Sequence, residues 1–162
     1  WTNEILSPLG LSLNVSPQRG QIIHLKADVE TSNWPVVLPL DSSHYIVPFD
    51  DQRIVFGATR EDGTGFDYRM TAGGIHEVLE EGLKVAPNLT HLPIQEIRIG
   101  FRPMSDDAKP LLGRLSKLEN VVVATGLGSS GLLMGPCVGS LAAKIALNEE
   151  LNLDLKKFRP DR

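Results

Sequence analysis

The chain has 162 residues, 16 of them basic and 20 acidic, for a net charge of -4. That length supports one ordinary domain with a real core and is too short for two large ones. The charge balance, with no basic cluster to neutralise a run of phosphates, argues against a nucleic-acid partner. Cys137 is the single cysteine, which excludes an internal disulfide and a thiolate metal cage and fits a reducing, cytoplasmic setting. Nothing at the N-terminus reads as a signal peptide.

In chain order, Trp1-Thr-Asn-Glu-Ile-Leu-Ser-Pro-Leu-Gly10 reads as a short helix that starts without an initiator methionine, as an excised piece would. Residues 19–25 alternate weakly and read as a strand, followed by a loop with Pro35 and Pro39. Residues 45–49 and 53–57, rich in β-branched and aromatic side chains around Asp50-Asp-Gln52, predict a hairpin. Pro48 places the first of its strands at an edge or a bulge. The glycine-rich acidic segment 59–67 is loop. Thr71 then caps a helix with Ile75, Val78, Leu79 and Leu83 on one face and Glu77, Glu80, Glu81 and Lys84 on the other. That helix ends at Pro87 and Asn88. Between 94 and 102, Ile97, Ile99 and Phe101 alternate with Glu96, Arg98 and Gly100, which predicts a strand with one polar face where a substrate could lie.

Val121-Val-Val-Ala-Thr-Gly-Leu-Gly-Ser-Ser-Gly131 and the small-residue run to Leu147 read as a buried strand, a tight glycine turn and a helix. Such a turn points free N–H groups at an anion or an electron-rich cofactor edge. A close-packed turn without a ligand explains the same glycines. The apolar run is as long as a membrane span, but Lys144 and its glycines and serines favour a buried helix instead. Gly131, Gly135 and Gly139 leave one helix face nearly bare, and Pro136 predicts an irregular or delayed first turn. Together these elements make an α+β fold: an antiparallel sheet with flanking helices, plus one terminal strand and helix of a second layer.

Four segments stand out in order: Tyr45-Ile-Val-Pro, Val55-Phe-Gly-Ala-Thr-Arg-Glu-Asp, Gly100-Phe-Arg-Pro-Met with Pro110-Leu-Leu-Gly113, and Asn120 to Gly131. That order resembles the one seen in the D-amino acid oxidase and glycine oxidase family of FAD enzymes. The chain resembles the C-terminal part of such an enzyme. The family's N-terminal GxGxxG unit, which holds the ADP part of FAD, has no match here. The resemblance implies an FAD-binding (Rossmann-like) remnant at 1–15 and 118–162 and a substrate-binding sheet at 16–117. It implies that Arg102 binds the substrate carboxylate, where the plain alternative is a surface or salt-bridging arginine. It implies that Tyr45 lines the substrate pocket, where the alternative is a half-buried sheet tyrosine. Gly126, Gly128, Ser129, Ser130, Gly131 and Leu132, with Gly100, are assigned to the flavin side.

The implied partners are a small amino acid or amine and the missing N-terminal half, with no membrane span. No side chain of the segment is assigned a catalytic acid or base role, and His24, His44, His76 and His91 show no metal-ligand spacing. Ser129 stands where glycine oxidase has a second arginine, so a secondary amine or another amino acid is as open a substrate as glycine. Asp106-Asp-Ala108 replaces the usual Pro-Asp-Gly and implies a reshaped loop. Two other readings stay open: a stand-alone binding module without redox chemistry, and a phosphate-binding domain, which lacks the P-loop lysine. With its sheet neighbours absent, the 121–124 strand is expected to pair with a second copy or to add to the substrate sheet.

Overall fold

Four strands, β1 (Val15–Lys26), β2 (Tyr45–Pro48), β3 (Arg53–Gly57) and β4 (Ile94–Ser105), form one sheet in the order β2-β3-β1-β4 in the computed structural model, which describes residues 1–162. The expected hairpin is present, antiparallel, with Tyr45 opposite Gly57 and Pro48 opposite Ile54. β2 lies at the sheet edge, where Pro48 removes no donor that a neighbour needs. The residues divide into two units, Arg19–Phe101 and Trp1–Gln18 with Arg102–Arg162.

In the unit Arg19–Phe101, alternation sends Ile23, Leu25, Ile46, Ile54 and Phe56 to one sheet face, where Val78 of helix α2 (Ala72–Val85) completes the core. Thr71 caps α2 as expected, its hydroxyl accepting the Gly74 N–H at 3.1 Å. Two glycines that the sequence reading passed over set the approach of α2: a Cβ at Gly82 would overlap the Phe56 ring, and one at Gly74 the Gln21 amide. Ile97 of β4 packs on this core. Phe101 meets Phe66 and Tyr68 edge-to-face, at 5.2 Å and 4.8 Å between centroids.

His24, in the middle of β1, is 2% exposed. Its Nδ1 lies 3.4 Å from Glu96 and 3.3 Å from Arg53, and its Nε2 is buried without a partner. Burial first, then the Arg98 charge, lowers its pKa below the ordinary 6.5, with Arg53 acting the same way and Glu96 and Asp51 opposing. An imidazole harder to protonate when folded makes the unfolded chain the stronger proton binder below 6.5. Stability therefore falls as pH drops from 6.5 toward the depressed folded value. The Glu61 and Glu96 carboxyls are held below their ordinary 4.5 and stay ionised through that window. We expect the urea midpoint to fall between about pH 7.5 and about pH 5.5, and His24→Gln to flatten that difference. An equal fall in both proteins would show that His24 is not the source.

The other unit contains helix α1 (Thr2–Leu6), strands β5 (Leu111–Leu115) and β6 (Leu118–Thr125) as an antiparallel pair, and helix α3 (Gly131–Leu147). Leu6, Leu115 and Val123 form its small core. Asn3 fixes the chain after α1, donating to the Leu13 carbonyl at 2.9 Å and accepting its N–H at 2.8 Å. Arg114 closes the end of α3, donating to the Ile145 carbonyl at 2.6 Å and to Asn148 Oδ1 at 2.9 Å. At the turn after β4, Asp107 pairs with Arg162 at 2.7 Å.

Four expectations need correction here. β6 does not add to the four-stranded sheet; β5, which the sequence reading left unassigned, is its partner in a separate two-stranded ladder. β6 is also not a buried strand throughout, since Val121 and Val122 are half-buried and Ala124 is exposed. One ladder partner covers one edge, and Leu6, Leu11 and Leu13 pack on Val121 and Val123, which leaves the strand only partly covered. Nor is α3 a buried helix: Val138 is its one buried residue, and Leu132 and Leu133 are 96% and 87% exposed. By length and composition alone, residues 128–147 are long and apolar enough to cross a membrane. The irregular or delayed first turn expected from Pro136 is not found either: α3 runs from Gly131 with Pro136 in its interior, and the 3-10 turn Gly128–Ser130 lies ahead of it.

Candidate functional site

The sheet of the Arg19–Phe101 unit has one face closed by α2 and an opposite face that α2 does not cover. Since Ile46 lies in the core, Tyr45 projects to the opposite face. Its ring lies over Gly57, so closely that a Cβ there would come 2.5 Å from Tyr45 Cζ and 2.6 Å from its hydroxyl oxygen. Gly57 is thus required by the approach of Tyr45, and the phenol is held at the end of β3. His44 points the other way, as alternation predicts, with Nε2 3.2 Å from Glu77 on α2. Glu96 and Arg98 of β4 extend the uncovered face past His24, an ion pair at 2.5 Å. Gly100 follows them in phase, exposed and with nothing within 4 Å of where its Cβ would be. A planar group can reach the backbone there.

Beyond Gly57 the chain is anchored by a polar network that the sequence reading missed. Arg19 and Glu61 exchange backbone hydrogen bonds at 2.9 Å and 3.0 Å, and their side chains pair at 2.5 Å. Gln21, wholly buried, donates to Glu61 at 2.8 Å and to Thr71 at 2.9 Å and accepts the Thr71 N–H at 3.0 Å. Thr59, also wholly buried, accepts the Gln21 N–H at 2.9 Å and donates to Glu61 at 2.6 Å. Desolvation works to raise the Glu61 carboxyl, but hydrogen bonds from Thr59, Gln21 and Arg19 outweigh it and hold its pKa below the ordinary value. Thr59 and Glu61 fall in the segment Val55 to Asp62 that carries the family resemblance, but no motif marks their partners Arg19 and Gln21. The one sequence signal of these two is the occurrence of arginine and glutamine at strand positions where apolar residues are expected.

In the second unit, Arg102 is half-buried on β4 and its Nη1 donates to Gln18 Oε1 at 3.4 Å. Gln18 is itself 9% exposed. The amide holds the guanidinium in place on the strand. In the turn after β6, Gly126 and Gly128 both have positive φ, +73° and +55°. A side chain at Gly128 would run into the Met104 sulfur, and Met104 bridges Leu127. The 3-10 turn Gly128–Ser130 and the first turn of α3 have no side-chain cap. N–H groups of Ser129, Gly131 and Leu132 are thus presented at a helix N-terminus, where an electron-rich edge is favoured. These residues fit the flavin assignment: the turn is narrow, its amides are uncapped, and Leu132 is exposed beside them.

The family model described as FAD dependent oxidoreductase, DAO, matches residues 1–145. The chain is 46% identical over 162 residues to the uncharacterized oxidoreductase YurR of Bacillus subtilis (strain 168), covering 99% of this chain and 43% of that protein. It superposes on the crystal structure of iminodiacetate oxidase (IdaA) from Chelativorans sp. BNC1 with a TM-score of 0.92 and 48% identity, over 99% of this chain and 43% of that one. On glycine oxidase from Geobacillus kaustophilus the TM-score is 0.88 at 31% identity, over 100% of this chain and 43% of that one. The chain therefore spans less than half the length of the relatives it matches.

Proposed function

Since this chain belongs to the DAO family of FAD dependent oxidoreductases, we propose that it supplies the substrate-binding sheet and the last cofactor-binding strand, turn and helix of a flavoenzyme that oxidises an amino acid or secondary amine. In this reading residues 16–117 are the substrate part, and 1–15 with 118–162 belong to the FAD part. The observation that carries it is the uncapped helix N-terminus behind the Gly126 and Gly128 turn, in a chain whose relatives are FAD enzymes.

FAD, when bound, accepts a hydride from the substrate carbon bearing the amine. Arg102 holds the substrate carboxylate, and its planar fork fixes the orientation of the amine. The Tyr45 hydroxyl, kept in place over Gly57, offers a hydrogen bond to the substrate from its own sheet face. Gly100 lets the ring system approach the strand. The amides of Ser129, Gly131 and Leu132 would hold an electron-rich edge of the cofactor and would stabilise negative charge developing there. Ser130 extends the same turn. The chain's work is positioning and electrostatics, with no acid or base from this segment.

The apolar surface of α3 is, in this reading, covered by the rest of the longer protein rather than by lipid, and the enzyme works in the cytoplasm. The test is an absorbance spectrum of the full-length protein, followed anaerobically with glycine, sarcosine, proline, iminodiacetate and D-amino acids. Bleaching of a flavin band by one of these names the substrate class. A colourless protein that takes up no added FAD overturns the flavoenzyme and leaves a small-molecule binding module. A chain that self-associates through β6 and α3 in isolation, and stops doing so in the full-length protein, fits the same reading.

A further inference from the structure

We propose that Arg60 is a second anion-binding side chain of the substrate face, so that the amine oxidised carries two carboxylates. The inference rests on the flavoenzyme reading and goes beyond it by naming the substrate's second charged group.

Eight of the nine arginines have partners. Arg19, Arg53, Arg69, Arg98, Arg159 and Arg162 are bound to carboxylates, Arg102 to Gln18, and Arg114 to backbone carbonyls. Arg60 alone is exposed with no hydrogen bond or ion pair. Its backbone is nevertheless among the best anchored in the unit. Thr59 is wholly buried, and Glu61 is tied to Arg19 through both main chain and side chain. Arg60 is thus a mobile charge on a fixed base.

Its direction follows from its neighbours. Thr59 and Glu61 both turn toward Gln21 and the Thr71 cap of α2. The residue between them projects away from α2, to the face that carries Tyr45. The Tyr45 hydroxyl lies over Gly57, three residues before Arg60. Three residues of chain span at most about 11 Å, and an extended arginine side chain covers much of that. The guanidinium can therefore meet an anionic group a few bonds from one held by the tyrosine. An unpaired guanidinium beside an amine-binding face favours a dianionic amine and gives nothing to a neutral substituent.

The test uses the full-length flavoprotein and two N-substituted glycines of similar size, N-(2-carboxyethyl)glycine and N-propylglycine, with flavin reduction followed anaerobically. For Arg60→Gln, the ratio of kcat/KM for the dicarboxylate to that for the monocarboxylate is expected to fall by about 10- to 100-fold, most of it in KM, the range for loss of one charge-assisted hydrogen bond. Arg60→Lys should recover part of the ratio, because the charge returns without the fork. A ratio unchanged in Arg60→Gln, or a loss shared equally by both amines, overturns the proposal. If neither amine bleaches the wild-type flavin although another amine of the panel does, turnover gives no ratio; if none does, the oxidase reading is what fails. Arg60 is then judged by calorimetric titration with the dicarboxylate: heat lost in Arg60→Gln sustains the anion site, and equal heats overturn it.

Discussion

Replacing Arg102 by Leu is expected to lower kcat/KM for a carboxylate-bearing amine by about 3–4 kcal/mol, or roughly 10²- to 10³-fold, in the full-length flavoprotein. The guanidinium is half-buried and donates to Gln18. A substrate carboxylate placed there without it would be desolvated and unpaired, which is the costly case. Arg102→Lys should fall between the two, since an ammonium keeps the charge and loses the paired donors. The deciding comparison is with the methyl ester of the same amine. If Arg102 reads the carboxylate, the ester loses far less than the acid on substitution, and equal losses for both would assign Arg102 to folding instead.

Phe56→Ala should destabilise the 162-residue chain by about 3–5 kcal/mol, lowering its urea midpoint by roughly 1–3 M. Phe56 is wholly buried, and Ile23, Ile54 and Val78 belong to the same core. It also touches the helix backbone itself, because Gly82 leaves no side chain between them. Gly82→Ala should therefore be destabilising even though alanine is the better helix former, since the new methyl must displace the ring. Combining Gly82→Ala with Phe56→Leu tests the contact directly. The smaller side chain should relieve part of the alanine's cost, and simple addition of the two effects would show that the ring and the glycine do not oppose each other.

The elements that were legible in the sequence are those with a local signature. The 45–57 hairpin, the Thr71 cap and the strand through Ile97 and Ile99 rest on turn residues, capping chemistry and period, all of which act within a few residues. β5 was not legible, because Gly113 breaks its short pattern with a φ of +149°. The exposure of α3 and β6 was misread because an apolar run announces that it needs cover without saying whether the same chain provides it. Among the site residues, Tyr45 and Arg102 stood out through the motifs around them. Gly57 gains its meaning from Tyr45 on the facing strand, and Arg60 from the buried pair Thr59 and Gln21. Such relations depend on register, which a linear reading does not contain.

The order of the two units along the chain bears on how the molecule folds. Trp1–Gln18 and Arg102–Arg162 must find each other across the 83 residues from Arg19 to Phe101. Closing a flexible loop of that length costs roughly 4 kcal/mol of chain entropy beyond the constant term. β1 and β4, which carry the chain out of the terminal unit and back into it, are neighbours in one sheet. Once 19–101 has folded, Gln18 and Arg102 emerge side by side, and that entropy no longer opposes the terminal segments. Pairing of β1 with β4 thus brings the two ends of the chain together as if they were one continuous polypeptide.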